Sequence, residues 1–134
     1  MRRTLVSLTA EEGADQTMPY GRSPIGSLML GANNRFMIIV LRSDLPIFAS
    51  NNRMTGTPDE NKAVMQGMIA NFGSCAIDEA TAVLTVKIEG CSFPNFSGGT
   101  QTRILSFAGD DMMYVNPTPS NGGGAAKVSW KRVK

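Results

Sequence analysis

The side chains with the widest chemical reach in this sequence are Tyr114, Arg103 and Glu89. Tyr114 offers a phenol that both donates and accepts, and Arg103 a planar cation suited to a carbonyl or carboxylate. Glu89 is the leading carboxylate, able to move a proton if its surroundings raise its pKa. None of the 134 residues is histidine. That removes the commonest general base, the Ser–His and Cys–His nucleophile pairs and the usual zinc ligands. No metal site and no cofactor motif is expected: Gly98-Gly99 lacks phosphate-loop spacing and precedes no helix. No catalytic residue is assigned; the three remain candidates.

These groups must be placed by strands. Thr100 to Phe107 and Asp111 to Val115 read as a hairpin around Gly109-Asp110, putting Arg103, Leu105, Phe107, Met112 and Tyr114 on one face. Tyr114 and Arg103 can then orient a ligand inside a cavity. Alternatively, Tyr114 is core with its hydroxyl at the rim, and Arg103 pairs with an acidic neighbour, since a buried arginine is costly unless paired. Ser74 to Ile77 and Ala82 to Glu89 form a second hairpin, with Cys75, Ile77, Leu84, Val86 and Ile88 facing the core. Glu89 has the opposite parity and faces outward, unless the strand bulges at Gly90.

The remaining chain supplies the other staves. Leu5 to Ala10 alternates as a first strand, Glu11 to Arg22 is loop-like, and Ile25 to Leu30 turns through Gly31–Asn34 into Arg35–Leu41. The arm Phe36–Leu41 is apolar on both faces, as expected of a strand with the interior on one side and another element on the other. That covering element is the one helix, expected over about 58–71. Thr57 caps it, Pro58 takes the first position, Glu60 completes a capping box, and Val64, Met65, Met68, Ile69 and Phe72 form its apolar stripe. Asn116 to Gly124 is a loop. Ala126, Val128 and Trp130 share the inner side of a last strand, with Lys127, Ser129 and Lys131 outside.

About eight antiparallel strands in sequence order close most economically into an up-and-down barrel, because closure leaves no edge exposed. The expectation is therefore all-β: an eight-stranded antiparallel up-and-down barrel with one inserted helix, a single domain over 1–134. Such an interior is either filled by side chains or holds one small ligand. The expected lining is Met37 and Ile39, Leu84 and Val86, the aromatic turn Phe93, Asn95 and Phe96, then Arg103, Leu105, Met112, Tyr114 and Trp130. Nine methionines suit a tolerant apolar pocket, though they also serve as ordinary core filler.

Composition excludes several classes. Thirteen basic and eleven acidic residues leave a net charge of +2, with no basic helix or aromatic stripe to suggest nucleic acid. No apolar run approaches a membrane span, and Glu11 and Glu12 interrupt any secretory h-region. With Asp78–Thr81 as the turn, Cys75 stands opposite Leu84, and Cys91 lies roughly 20 Å further along at strand rise. Reduced thiols in a cytoplasmic protein follow.

The run Glu89-Gly90-Cys91-Ser92-Phe93-Pro94-Asn95-Phe96 with Thr100-Gln101 and Arg103, together with Leu5-Val6-Ser7, Pro19-Tyr20-Gly21, Gly56-Thr57-Pro58-Asp59-Glu60, Gly122-Gly123-Gly124 and Val128-Ser129-Trp130, resembles the lipocalin-like domain family of small single-domain bacterial and fungal proteins. The resemblance spans nearly the whole chain. It implies a lipocalin-type barrel with a helix between early strands and an apolar central cavity. Family members usually open with Gly-x-Trp, whose Trp plugs the barrel base; here Met1-Arg2-Arg3-Thr4 stands there, so either the start is truncated or another residue, such as Trp130, closes that end. The family often carries His at the positions of Val86 and Lys87, and their absence argues against proton transfer. Three functions follow in order: binding of a small hydrophobic ligand, entered near the helix and the Phe93–Phe96 turn; a cofactor-independent isomerase or cyclase of a natural-product pathway; and a filled barrel with a structural role, for instance in a homodimer.

Overall fold

The computed structural model describes residues 2–12, 15–120 and 124–133. Gly122 and Gly123 of the expected glycine loop lie outside the described residues. Nine strands form: β1 (Arg2–Glu12), β2 (Asp15–Thr17), β3 (Ile25–Leu30), β4 (Arg35–Leu41), β5 (Met68–Asp78), β6 (Val83–Cys91), β7 (Thr100–Ala108), β8 (Asp111–Asn116) and β9 (Ala126–Arg132). The helix is α1 (Pro58–Gln66). β1 and β3 to β9 pair antiparallel with their neighbours in chain order, and β9 returns to β1 from Arg3↔Arg132 to Ala10↔Ala126. The result is a closed eight-stranded barrel. β2 pairs only with the end of β1, Ala10↔Thr17 to Glu12↔Asp15, inside the stretch expected to be loop.

The two ends differ. Tight turns at 31–34, 79–82 and 109–110 close one end. The long connections, 42–67 and 92–99 among them, gather at the other, which we call the mouth. Alternation fills the interior: Leu84, Val86 and Ile88 from β6, Leu105 from β7, Met112 and Tyr114 from β8, and Val128 and Trp130 from β9 are all buried. Trp130 is 0 % exposed and lies tilted against Tyr114 at 6.1 Å between ring centroids. Arg3 is buried near the closed end, two positions before Leu5, the partner of Trp130 on β1.

Three expectations need correction. The helix ends at Gln66, not near 71. Gly67 donates back to the Ala63 and Val64 carbonyls and stops it, and Met68 to Ser74 then form a full ladder with β4. The run Val64–Phe72 fits the helical period, but Met68, Ala70 and Phe72 also alternate, and closing the barrel required a strand between β4 and β6. Second, α1 does not cover β4: Met37 is 59 % exposed, and Ile39 is exposed as well. Third, the β5–β6 register is Cys75↔Val86 and Ile77↔Leu84, two residues from that expected; the parity is kept, but Ile77, expected in the core, is exposed next to the closed-end turn. Cys75 and Cys91 are both free thiols.

The start of α1 is as expected. Thr57 Oγ1 accepts from the Glu60 amide at 3.1 Å, and Glu60 accepts from the Thr57 amide at 2.8 Å. Glu60 also accepts from the Ala49 amide at 3.0 Å, tying the preceding loop to the helix. These amides hold its carboxyl below the usual range. Between Phe72↔Gly90 and Gly73↔Ile88 the ladder shifts, leaving Glu89 as a bulged residue. Gly73 is required there, because a Cβ would fall on the Lys87 carbonyl oxygen.

Candidate functional site

The mouth holds a depression of about 370 Å³, walled by Met65 and Gln66 of α1, Met68 and Ile69 of β5, Phe93 of the aromatic turn, and Tyr20. Below it, inside the barrel, is a hollow of about 60 Å³. Pro19, Tyr20, Ile69 and Ser120 border both spaces, so they form the partition between mouth and interior. The hollow is walled by Leu8, Ile38, Val40, Phe96 and Val128, and its polar groups come from Asn71, Arg103, Tyr114 and Asn116. A smaller space of about 20 Å³ continues toward Leu84 and Val86.

The aromatic turn is anchored to its own strands. The Gly98 amide donates to the Ile88 carbonyl at 2.8 Å, the Ile88 amide to the Gly99 carbonyl at 2.9 Å, and the Cys91 amide to Ser97 Oγ at 3.1 Å. Phe93 and Phe96 meet edge to face at 5.0 Å, one at the mouth and the other over the hollow. Asn95 is exposed and lines neither space.

Arg103 and Tyr114 meet in the interior as the strand pattern anticipated. Arg103 is 9 % exposed. It donates to Gln101 Oε1 at 2.8 Å, to Asn116 Oδ1 at 3.2 Å and to the Thr102 carbonyl at 3.0 Å. Its guanidinium carbon lies 5.7 Å from the centre of the Tyr114 ring. The acidic neighbour expected for Arg103 is not found among the described residues; the ion pairs there include Arg35–Glu89 and Arg42–Asp44. Burial pushes the Tyr114 phenol above its ordinary pKa, and the Arg103 charge pulls partly the other way. Tyr20 is likewise raised by burial, against a weaker pull from Ser120.

Glu89 stands apart. Despite the bulge it faces outward and pairs with Arg35, both about half exposed. Hydrogen bonding to Arg35 lowers its pKa, the opposite of what a general acid at a cavity mouth needs.

The remaining expected lining residues divide. Leu84 and Val86 border the innermost space, whereas Leu105, Met112 and Trp130 are packed into the core. Met37 and Ile39 lie on the outside of the barrel, in a groove of about 510 Å³ shared with Met29 and Phe72. Phe72 crosses to β6, where its ring lies over Gly90; a Cβ there would come within 2.7 Å of it. Met37 and Ile39 therefore cannot line the same space as Arg103. Sequence reasoning missed Tyr20, Ile69, Asn71, Asn116 and Ser120. Ile69 and Asn71 were hidden by the overlong helix, and Tyr20 and Ser120 come from loops without periodicity.

A profile of the lipocalin-like domain matches residues 4–133, nearly the whole chain. The chain belongs to the lipocalin-like domain family. The closed barrel with its helix inserted before β5 is the fold that membership implies. No curated protein matches the chain. Among the described residues, no helix is long and apolar enough to cross a membrane, and no group of His, Cys, Asp or Glu is arranged to hold a metal ion.

Proposed function

We propose that this lipocalin-like barrel binds a small, mainly apolar ligand at its mouth. The body of the ligand rests against Met65, Met68, Ile69 and Phe93, and its leading group passes Tyr20 into the hollow above Arg103. The observation that carries this reading is the shared border between depression and hollow: one ligand can occupy both by displacing side chains of the partition, without opening the barrel. The apolar walls supply most of the affinity, at about 25 cal/mol per Å² of buried apolar surface before the costs of association.

A cofactor-independent isomerase or cyclase is the second reading. The Arg103–Tyr114 pair favours it, because a cation and a phenol side by side polarise a carbonyl. With Glu89 on the outside, catalysis here would work by shape and polarisation rather than by a carboxylate base. The third, a filled barrel with a structural or dimerisation role, draws on the small size of the hollow.

Binding of a polarity-sensitive apolar dye tests the leading reading. Ile69→Arg, which blocks the partition, is expected to abolish dye binding. Met37→Lys, on the outer groove, is expected to leave it unchanged. The reverse pattern would move the binding site to the outside of the barrel, and a dye that ignores both positions would leave the filled barrel as the better account.

A further inference from the structure

We infer that the ligand's leading group is a carboxylate, received by Arg103 and Tyr114; this rests on the mouth-binding reading above. An unmatched charge in the interior is costly, and an acid beside a buried arginine is the usual remedy. Arg103 is held instead by neutral acceptors: the Gln101 and Asn116 side-chain amides and the Thr102 carbonyl. These fix the guanidinium in place without cancelling its charge. Asn116 is itself fixed, since its Oδ1 also accepts from the Thr118 amide at 3.0 Å.

The charge has somewhere to act. Arg103 and Tyr114 border the hollow of about 60 Å³, room for about two waters and suited to a group of carboxylate size. The other walls are mostly aliphatic or aromatic, so little competes for the cation. A carboxylate can take two parallel hydrogen bonds from a guanidinium and a third from a phenol. A neutral hydroxyl gains far less from the same site. With the apolar mouth above, the ligand class is an amphipathic monocarboxylic acid that enters head first.

Decanoate and 1-decanol share one apolar chain and differ at the head, and calorimetry on the intact protein compares them directly. Decanoate is expected to bind about 10- to 100-fold more tightly, the worth of one or two charge-assisted hydrogen bonds. Arg103→Met should bring decanoate down to the level of 1-decanol while leaving 1-decanol unchanged. In the wild-type protein, which needs no variant to fold, decanoate affinity should fall as pH drops below the ligand's own carboxyl pKa while 1-decanol stays flat. Equal affinity for the two would overturn the carboxylate assignment and leave mouth binding intact. Tighter binding of decyl phosphate than of decanoate would replace carboxylate by phosphate as the head. No binding of any of the three would remove the mouth reading and this inference together.

Discussion

Two arginines are buried in this barrel, one near each end, and they are held differently. Arg3, 7 % exposed, lies near the closed end; its Nη1 donates to the Asp110 carbonyl at 2.9 Å, and its guanidinium carbon sits 5.8 Å from the centre of the Phe107 ring. Arg103, 9 % exposed, borders the hollow beneath the mouth. The first cation is spent on closing a turn and covering an aromatic ring. The second is oriented by amides and left facing a space. Burial alone would class them together; only the second borders a space that a ligand group could enter.

Trp130 is fully buried against Tyr114, and removing it should have the largest effect. Trp130→Ala is expected to cost about 3–5 kcal/mol, the usual range for a fully buried aromatic. A loss below about 1 kcal/mol in denaturant unfolding would mean that the interior is not packed as described.

Replacing each arginine by methionine should then separate the two ends. Arg3→Met loses a charge-assisted hydrogen bond and a cation–π contact, and should cost about 1–3 kcal/mol with ligand binding unaffected. Arg103→Met loses three hydrogen bonds and a ring contact, so it too should cost about 1–3 kcal/mol, but it alone should bring decanoate binding down to the level of 1-decanol. Decanoate binding that survives Arg103→Met would show that Arg103 is simply a second brace.

The smallest effect is spectroscopic. Tyr20 and Tyr114 are the chain's two tyrosines, and burial raises both. Unfolded, they ionise near the usual value of about 10; folded, they resist. With the folded pKa raised in this way, stability is intact below the unfolded value and is lost as pH rises from there through the folded one. Tyrosinate absorbance of the native protein should therefore lag behind that of the denatured chain. Because the Arg103 charge opposes the rise at Tyr114, Arg103→Met should delay the titration further, and Arg3→Met should not. A native titration that overlays the denatured one would place both phenols in water.

Much of the barrel was legible in the sequence because strand alternation is local. Leu84, Val86 and Ile88, Arg103 and Leu105, Met112 and Tyr114, and Val128 and Trp130 all point inward as their parity requires. The start of α1 was legible for the same reason, since a capping box is closed within four residues. The end of α1 was not. Val64 to Phe72 satisfies two periods at once, and only the need of β4 and β6 for a partner decided between them. Met37 and Ile39 mark another limit: a two-faced apolar strand reads as covered on both sides, yet hydrophobicity does not say whether an element is there to cover it.

By itself, the sequence determined the closed antiparallel sheet, the absence of histidine chemistry, and the meeting of Arg103 with Tyr114 on one inner face. These follow from residue type and from a period of two, properties that short stretches carry with them. Only the tertiary structure decided that Arg103 has amides for neighbours, that Glu89 faces Arg35 on the outside, and that Tyr20, Ile69 and Ser120 stand between mouth and hollow. Those contacts join residues distant in the chain, through loops that obey no period, and no local preference encodes which side chain will arrive opposite which.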